Sequence, residues 1–183
     1  MLKTIFFFLW TLLISFSTGW AQIFIARDTH VSFFSSAPLE DIEATSHSGS
    51  AAFDLNTGDL VFKVPNKSFE FKKQLMQDHF NESYMESDKF PVSVFKGKVD
   101  HPAQLKKEGT YMIPISGILT VHGVARKYET QVKMVVTSSS ITASCSFQIK
   151  TADHHIKIPT IVIKNIAEVL DIHVTASFKP KSS

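Results

Sequence analysis

The sequence predicts an all-β fold, a sandwich or a barrel, interrupted by one short helix. Three observations carry that expectation. Apolar and polar residues alternate with a period of two through most of the chain after residue 22, the mark of strands with one dry face. Turn residues recur at short intervals between the alternating runs. Only residues 71–84 break that period for a helical one.

Taken in order, Val31 with Phe33 form the first alternating pair, and residues 39–45 offer an additional strand. Ala51, Phe53 and Leu55 form the next row. Asn56-Thr57-Gly58-Asp59 then reads as a hairpin turn, with Gly58 free to take positive φ, and Leu60, Phe62 and Val64 return. In the helical stretch, Gln74, Gln77, Asp78 and Asn81 share one side. Met76, Phe80 and Tyr84 recur every four residues on the other, flanked by Phe71 and Leu75. Such a helix closes a barrel end, packs outside it, or is a core helix of an α+β domain.

A strand restarts after Pro91, with the facing of residues 92–99 ambiguous. Tyr111, Ile113, Ile115, Gly117, Leu119 and Val121 form a long row that turns at Gly123. Val132, Met134 and Val136 follow, then Ala143, Cys145, Phe147 and Ile149. Residues 153–168 lose the pattern around Pro159 and read as a long crossing loop with one short strand or turn. Leu170, Ile172, Val174, Ala176 and Phe178 make the last row, and the tail from Lys179 is polar. Seven or eight strands fit either architecture. A sandwich fills its interior with its own side chains, whereas a barrel of about eight strands has room for one ligand.

The first 21 residues read differently. Lys3 precedes an apolar run over residues 5–16, and Gly19-Trp20-Ala21 offers a small-residue cleavage site. That is the pattern of an export signal cut after Ala21, leaving residues 22–183 as one domain. The run falls short of the roughly 20 residues that span a bilayer, so no stable membrane span is expected after its removal. No Cys ends it, which disfavours a lipid-anchored lipoprotein. Without residues 1–21 the charge is close to balanced, 18 basic side chains against 17 acidic. Nucleic acid, which favours a clustered basic face, is therefore not an expected partner. The oligomeric state is open, a homodimer included.

Catalytic and metal chemistry find little support. Cys145 is the lone cysteine, so no internal disulfide forms, and its place in an apolar row predicts an inert thiol. His154 and His155 are adjacent and point apart in extended chain, and no His-x-x-x-His or Cys/His spacing occurs. His122 is expected on the outer face beside the Gly123 turn, with His155 or His173 as its alternative neighbours across the fold. There is no Gly-x-Ser-x-Gly elbow and no Gly-rich phosphate loop, so neither an enzyme nor a cofactor is expected. Glu86 and Asp88 lie in an apparent turn and need no catalytic explanation. Asn66-Lys-Ser and Asn81-Glu-Ser match the glycosylation triplet, a match common by chance. Arg126 and Lys127 read as a solvated hairpin, or as cations facing a polar head group.

Two motifs go further. Residues 68–95, SFEFKKQLMQDHFNESYMESDKFPVSVF, hold a dense set of large apolar side chains in helical register between strands. Residues 117–130, GILTVHGVARKYET, supply a strand, a turn and a returning strand. In this order and spacing they resemble the YceI-like family of secreted lipid- or polyisoprenoid-binding proteins, over residues 29–178. The resemblance implies a lipocalin-like antiparallel barrel of about eight strands with a short helical insertion. It also implies a periplasmic or secreted, non-enzymatic protein holding a long-chain lipid: a polyisoprenoid, an isoprenoid quinone or a fatty acyl chain. The alternative is a structural or stress-related periplasmic protein whose barrel is filled by its own side chains. Alternation places Phe53, Phe62, Leu119, Met134, Phe147 and Val174 on inward faces, and the helix offers Met76, Phe80 and Tyr84, with Leu75 and Phe69 beside them. These residues are the expected lining of an apolar pocket.

Overall fold

The computed structural model describes residues 22–27, 29–36, 41–158 and 168–181. The strands are β1 (Ile23–Ala26), β2 (Thr29–Ser35), β3 (Ile42–Ser46), β4 (Ser50–Asp54), β5 (Asp59–Pro65), β6 (Glu70–Phe71), β7 (Val92–Val99), β8 (Gly109–Val121), β9 (Val124–Val136), β10 (Ile141–Lys150) and β11 (Val169–Pro180). All their pairings are antiparallel. They close an eight-stranded barrel, in the order β1-β4-β5-β7-β8-β9-β10-β11 and back to β1.

The extra strands are bends in the wall. β11 is long enough to pair with β2 through Asp171–Ala176 and with β1 through Lys179–Pro180. β1 and β2 thus occupy one position in the ring, and β4 and β3 run beside them as the next. Bending lets long strands coil around a closed sheet without breaking the ladder. β6 pairs with β3 alone among the described strands, so the wall parts between β6 and β7 at one end. Asn66 holds that parting corner. It is fully buried; its Nδ2 donates to Phe90 O at 2.6 Å, its Oδ1 accepts from Ser93 Oγ at 2.8 Å, and its N–H donates to Pro91 O at 2.8 Å.

Helix α1 (Gln74–His79) sits at this end, followed by a π-helical turn over Phe80–Tyr84. The expected helix over residues 71–84 is therefore shorter and mixed. Phe71 belongs to β6, because its backbone pairs with Ala44. The Asn81 amide donates to Gln77 O at 3.0 Å and its Oδ1 accepts from Ser87 Oγ at 2.7 Å. That side-chain competition for a helical carbonyl accompanies the widened turn, as π-turns require a local disturbance of the ladder.

Other expectations are refined. The strand sought in residues 39–45 is β3, and residues 37–40 lie outside the described residues. In β7 the ambiguity resolves with Ser93, Phe95, Gly97 and Val99 inward and Val92, Lys96 and Lys98 exposed. Of the crossing loop, residues 159–167 lie outside the described residues. Its described start follows a 3-10 turn, Thr151–His154, that ends at His155 in the left-handed region.

The rows of alternation become three connected clusters. One end of the barrel is packed shut by Phe24, Leu55, Leu105, Ile141 and Phe178, which join Phe53 and Met134 above them. Burying each such side chain contributes about 1.5–3 kcal/mol. At the other end, Val31, Phe33, Val64 and Phe69 gather under α1, and Met85, Val121 and Ile156 gather under the β8–β9 hairpin.

Candidate functional site

Between the sealed end and the helix the barrel encloses an apolar cavity of about 620 Å³. This lies in the range of small-molecule pockets, roughly 300–1,000 Å³. All eleven residues expected to line a pocket stand on its wall: Phe53, Phe62, Phe69, Leu75, Met76, Phe80, Tyr84, Leu119, Met134, Phe147 and Val174. The six on strands converge because period-two inward faces meet only when the sheet closes; Phe69, Leu75, Met76, Phe80 and Tyr84 come from the segment around α1.

Phe80 is the hub of the helical side. Its ring centroid lies 5.0 Å from Phe71, 5.6 Å from Phe33 and 5.7 Å from Phe69, in tilted, stacked and edge-on arrangements. Such aromatic pairs are worth about 0.5–1.5 kcal/mol beyond burial. Leu75 both lines the cavity and is 64% exposed, so it marks the opening. Lys73 and His79 also border the cavity. Arg126 and Lys127 are both exposed on β9.

Sequence reasoning missed several lining residues, among them Phe33, Phe95, Tyr128 and Ile156. Tyr128 was discoverable. Counting back by twos from Val132 reaches Thr130 and Tyr128, both on the cavity wall. Ile156 lies in the loosened pattern after β10, where no period points inward.

The expected place of His122 is corrected. Its side chain is only 11% exposed and is covered by Phe90, with ring centroids 4.6 Å apart. Its Nε2 lies 2.8 Å from Glu86 Oε2, and its Nδ1 lies 3.2 Å from the backbone oxygen of His154. The neighbours weighed from sequence, His155 and His173, are not these partners: His173 Nδ1 bonds Ser146 Oγ at 2.7 Å on the outer wall. A turn at Gly123 under the Phe90 ring explains the enclosure. A Cβ at Gly123, where φ is +72°, would stand 2.5 Å from that ring. Glu86, expected as plain turn surface, is thus tied to the β8–β9 hairpin, and the His122 hydrogen bond holds its carboxyl below the usual range.

His154 is fully buried, its Nδ1 3.0 Å from Val124 O and its Nε2 3.0 Å from Tyr128 Oη. Burial lowers its pKa and keeps the ring neutral. Burial likewise raises the phenols of Tyr84 and Tyr128. It pushes the Cys145 thiol, on the cavity wall, up to about 11. Among the described residues no three His, Cys, Asp or Glu side chains gather as a metal site. Nor is any described helix long and apolar enough to cross a membrane.

These features have known counterparts in fold. No curated protein matches the chain significantly in sequence. Among solved structures, a polyisoprenoid binding domain from Saccharophagus degradans, implicated in plant cell wall breakdown, superposes with a TM-score of 0.76 at 15% identity, over 88% of this chain and 99% of that one. BcnA of Burkholderia cenocepacia superposes with 0.69 at 16% identity, over 81% and 95%. The Campylobacter jejuni YCEI protein superposes with 0.63 at 16% identity, over 80% and 90%. The YceI-like domain profile matches residues 24–178, nearly every residue of the barrel. With its fold and its sequence in agreement over that span, the chain belongs to the YceI-like domain family.

Proposed function

We propose that this protein is an exported, non-catalytic carrier that holds one long-chain apolar lipid, such as a polyisoprenoid, an isoprenoid quinone or a fatty acyl chain, inside its barrel. The observation that carries this reading is the cavity of about 620 Å³, continuous from the helix to the sealed end. A protein that filled its own barrel would use its phenylalanines to abolish such a space. Each methylene moved out of water contributes about 0.8 kcal/mol, so a chain of ten or more carbons binds without polar contacts. The polyisoprenoid binding domain of similar fold supports that ligand class. Export rests on residues 1–21, which lie outside the described residues and carry a signal-like pattern; the mature chain then begins at Gln22 in a periplasmic or extracellular space.

Native mass spectrometry of the purified protein, followed by organic extraction, tests the reading. A bound mass that extracts as a lipid is expected. Phe80→Ala and Met134→Ala, each on the cavity wall, should shift lipid occupancy or chain-length preference while the fold survives. Both variants losing the full core-truncation cost of about 2–5 kcal/mol, with no extractable lipid in the wild type, would favour the filled barrel.

A further inference from the structure

The Tyr128–His154 pair adds a polar instruction to an apolar cavity. Tyr128 lies on β9 and forms part of the cavity wall, its ring edge-on to Phe147 at 6.0 Å. Its hydroxyl oxygen is 3.0 Å from Nε2 of the fully buried His154, and the two rings lie 10° from parallel. The other ring nitrogen, Nδ1, faces Val124 O at 3.0 Å. A carbonyl oxygen only accepts, so Nδ1 carries the ring proton. Burial keeps the ring neutral, so Nε2 holds a lone pair. The Tyr128 proton is therefore donated to Nε2, away from any ligand. A hydrogen bond from a ligand to the Tyr128 hydroxyl therefore falls on the lone pairs of its oxygen.

Two other hydroxyls on the cavity wall are committed in the same sense. Ser93 Oγ donates to Asn66 Oδ1 at 2.8 Å, and Thr151 Oγ1 donates to Glu168 O at 3.3 Å. The wall at these points takes hydrogen bonds and does not supply them.

We infer that Tyr128, held as an acceptor by His154, selects lipids whose head group donates a hydrogen bond, an alcohol, phenol or primary amide, over matched lipids whose head group only accepts. Resting on the lipid-carrier reading, the inference adds to it the chemistry of the polar end. Tyr128 does this by direct contact; His154 acts through it, as a positioning residue.

The test compares farnesol with farnesyl methyl ether, which share a chain and differ by the donor. The protein is offered an equimolar mixture, and native mass spectrometry reads the occupancy ratio in wild type and in Tyr128→Phe. Comparing the two proteins cancels the intrinsic difference between the ligands. The alcohol-to-ether ratio is expected to fall about fivefold in the variant, the equivalent of one net hydrogen bond of about 1 kcal/mol. Both ligands binding with an unchanged ratio overturns the inference and leaves the carrier reading intact. Neither ligand binding overturns both. A second measurement needs no variant: nitrogen-15 NMR of the wild-type His154 ring should show Nδ1 protonated and Nε2 bare. A proton on Nε2 overturns the inference, because Tyr128 would then be free to donate into the cavity.

Discussion

Glu86 Oε2 meets His122 Nε2 at 2.8 Å, and this contact ties the loop after the π-turn to the β8–β9 hairpin. Both residues adopt positive φ, 43° and 50°, conformations that non-glycine residues visit rarely. With His122 Nδ1 3.2 Å from the His154 carbonyl oxygen, both ring nitrogens have a hydrogen-bond partner. The same loop carries Lys89, 3.7 Å from Glu86 Oε1, and Phe90, which roofs Gly123. Asp153 and Arg126 act electrostatically on His154, whose backbone oxygen His122 meets.

The Glu86 carboxyl is held below its ordinary value of 4.5 by the His122 hydrogen bond first, with Lys89 and the His122 charge adding to it. A depressed carboxyl pKa contributes stability that is present above the unfolded value and is lost as pH falls through the folded one. The contact should therefore hold above about pH 4.5 and weaken below it. Thermal unfolding followed from pH 6 to pH 3 should lose more in wild type than in Glu86→Gln. Equal losses in the two proteins would remove Glu86 from the acid response.

Gly97 stands directly opposite Gly117 in the β7–β8 ladder. A Cβ on Gly117 would lie 2.4 Å from Lys96 O, 2.5 Å from the Gly97 Cα and 2.7 Å from the Phe95 ring. Neither backbone atom can move aside without shifting its strand. Gly117→Ala should cost about 1–3 kcal/mol in urea unfolding. Ser116→Ala, on the outer side of the same strand, should stay within about 0.5 kcal/mol of wild type. A Gly117→Ala protein as stable as the wild type would mean the wall is looser than these distances.

Burial moves the Cys145 thiol from 9.0 up to about 11. At pH 8 that leaves about a hundredfold less thiolate than an unshifted thiol carries, and thiolate is the reactive form. An aqueous disulfide reagent should label native Cys145 about a hundred times more slowly than the urea-unfolded chain. Equal rates would show the thiol open to water. Reductant should leave the fold unchanged, since Cys145 has no partner cysteine.

The sequence by itself determined most of the strands and which way they face; β1, β6 and the facing of β7 were the exceptions. Phe53, Met134 and Val174 could be placed inward because alternation is a property of a few consecutive residues and the pleat turns it directly into sidedness. It also marked the helical stripe of Met76, Phe80 and Tyr84, for the same local reason. The family resemblance, and not the period, moved the expectation from sandwich to barrel. Tertiary structure decided what depends on contacts between distant residues. Closure rests on β11 reaching both β1 and β2, which no local pattern encodes. Phe71 left the helix because Ala44, far away in sequence, offered its backbone a ladder. His122 moved from surface to cover because Phe90 and Glu86 come from another segment. Period and propensity are local, whereas burial of a polar ring and the direction of its proton are set by whichever acceptors the closed sheet brings within about 3 Å.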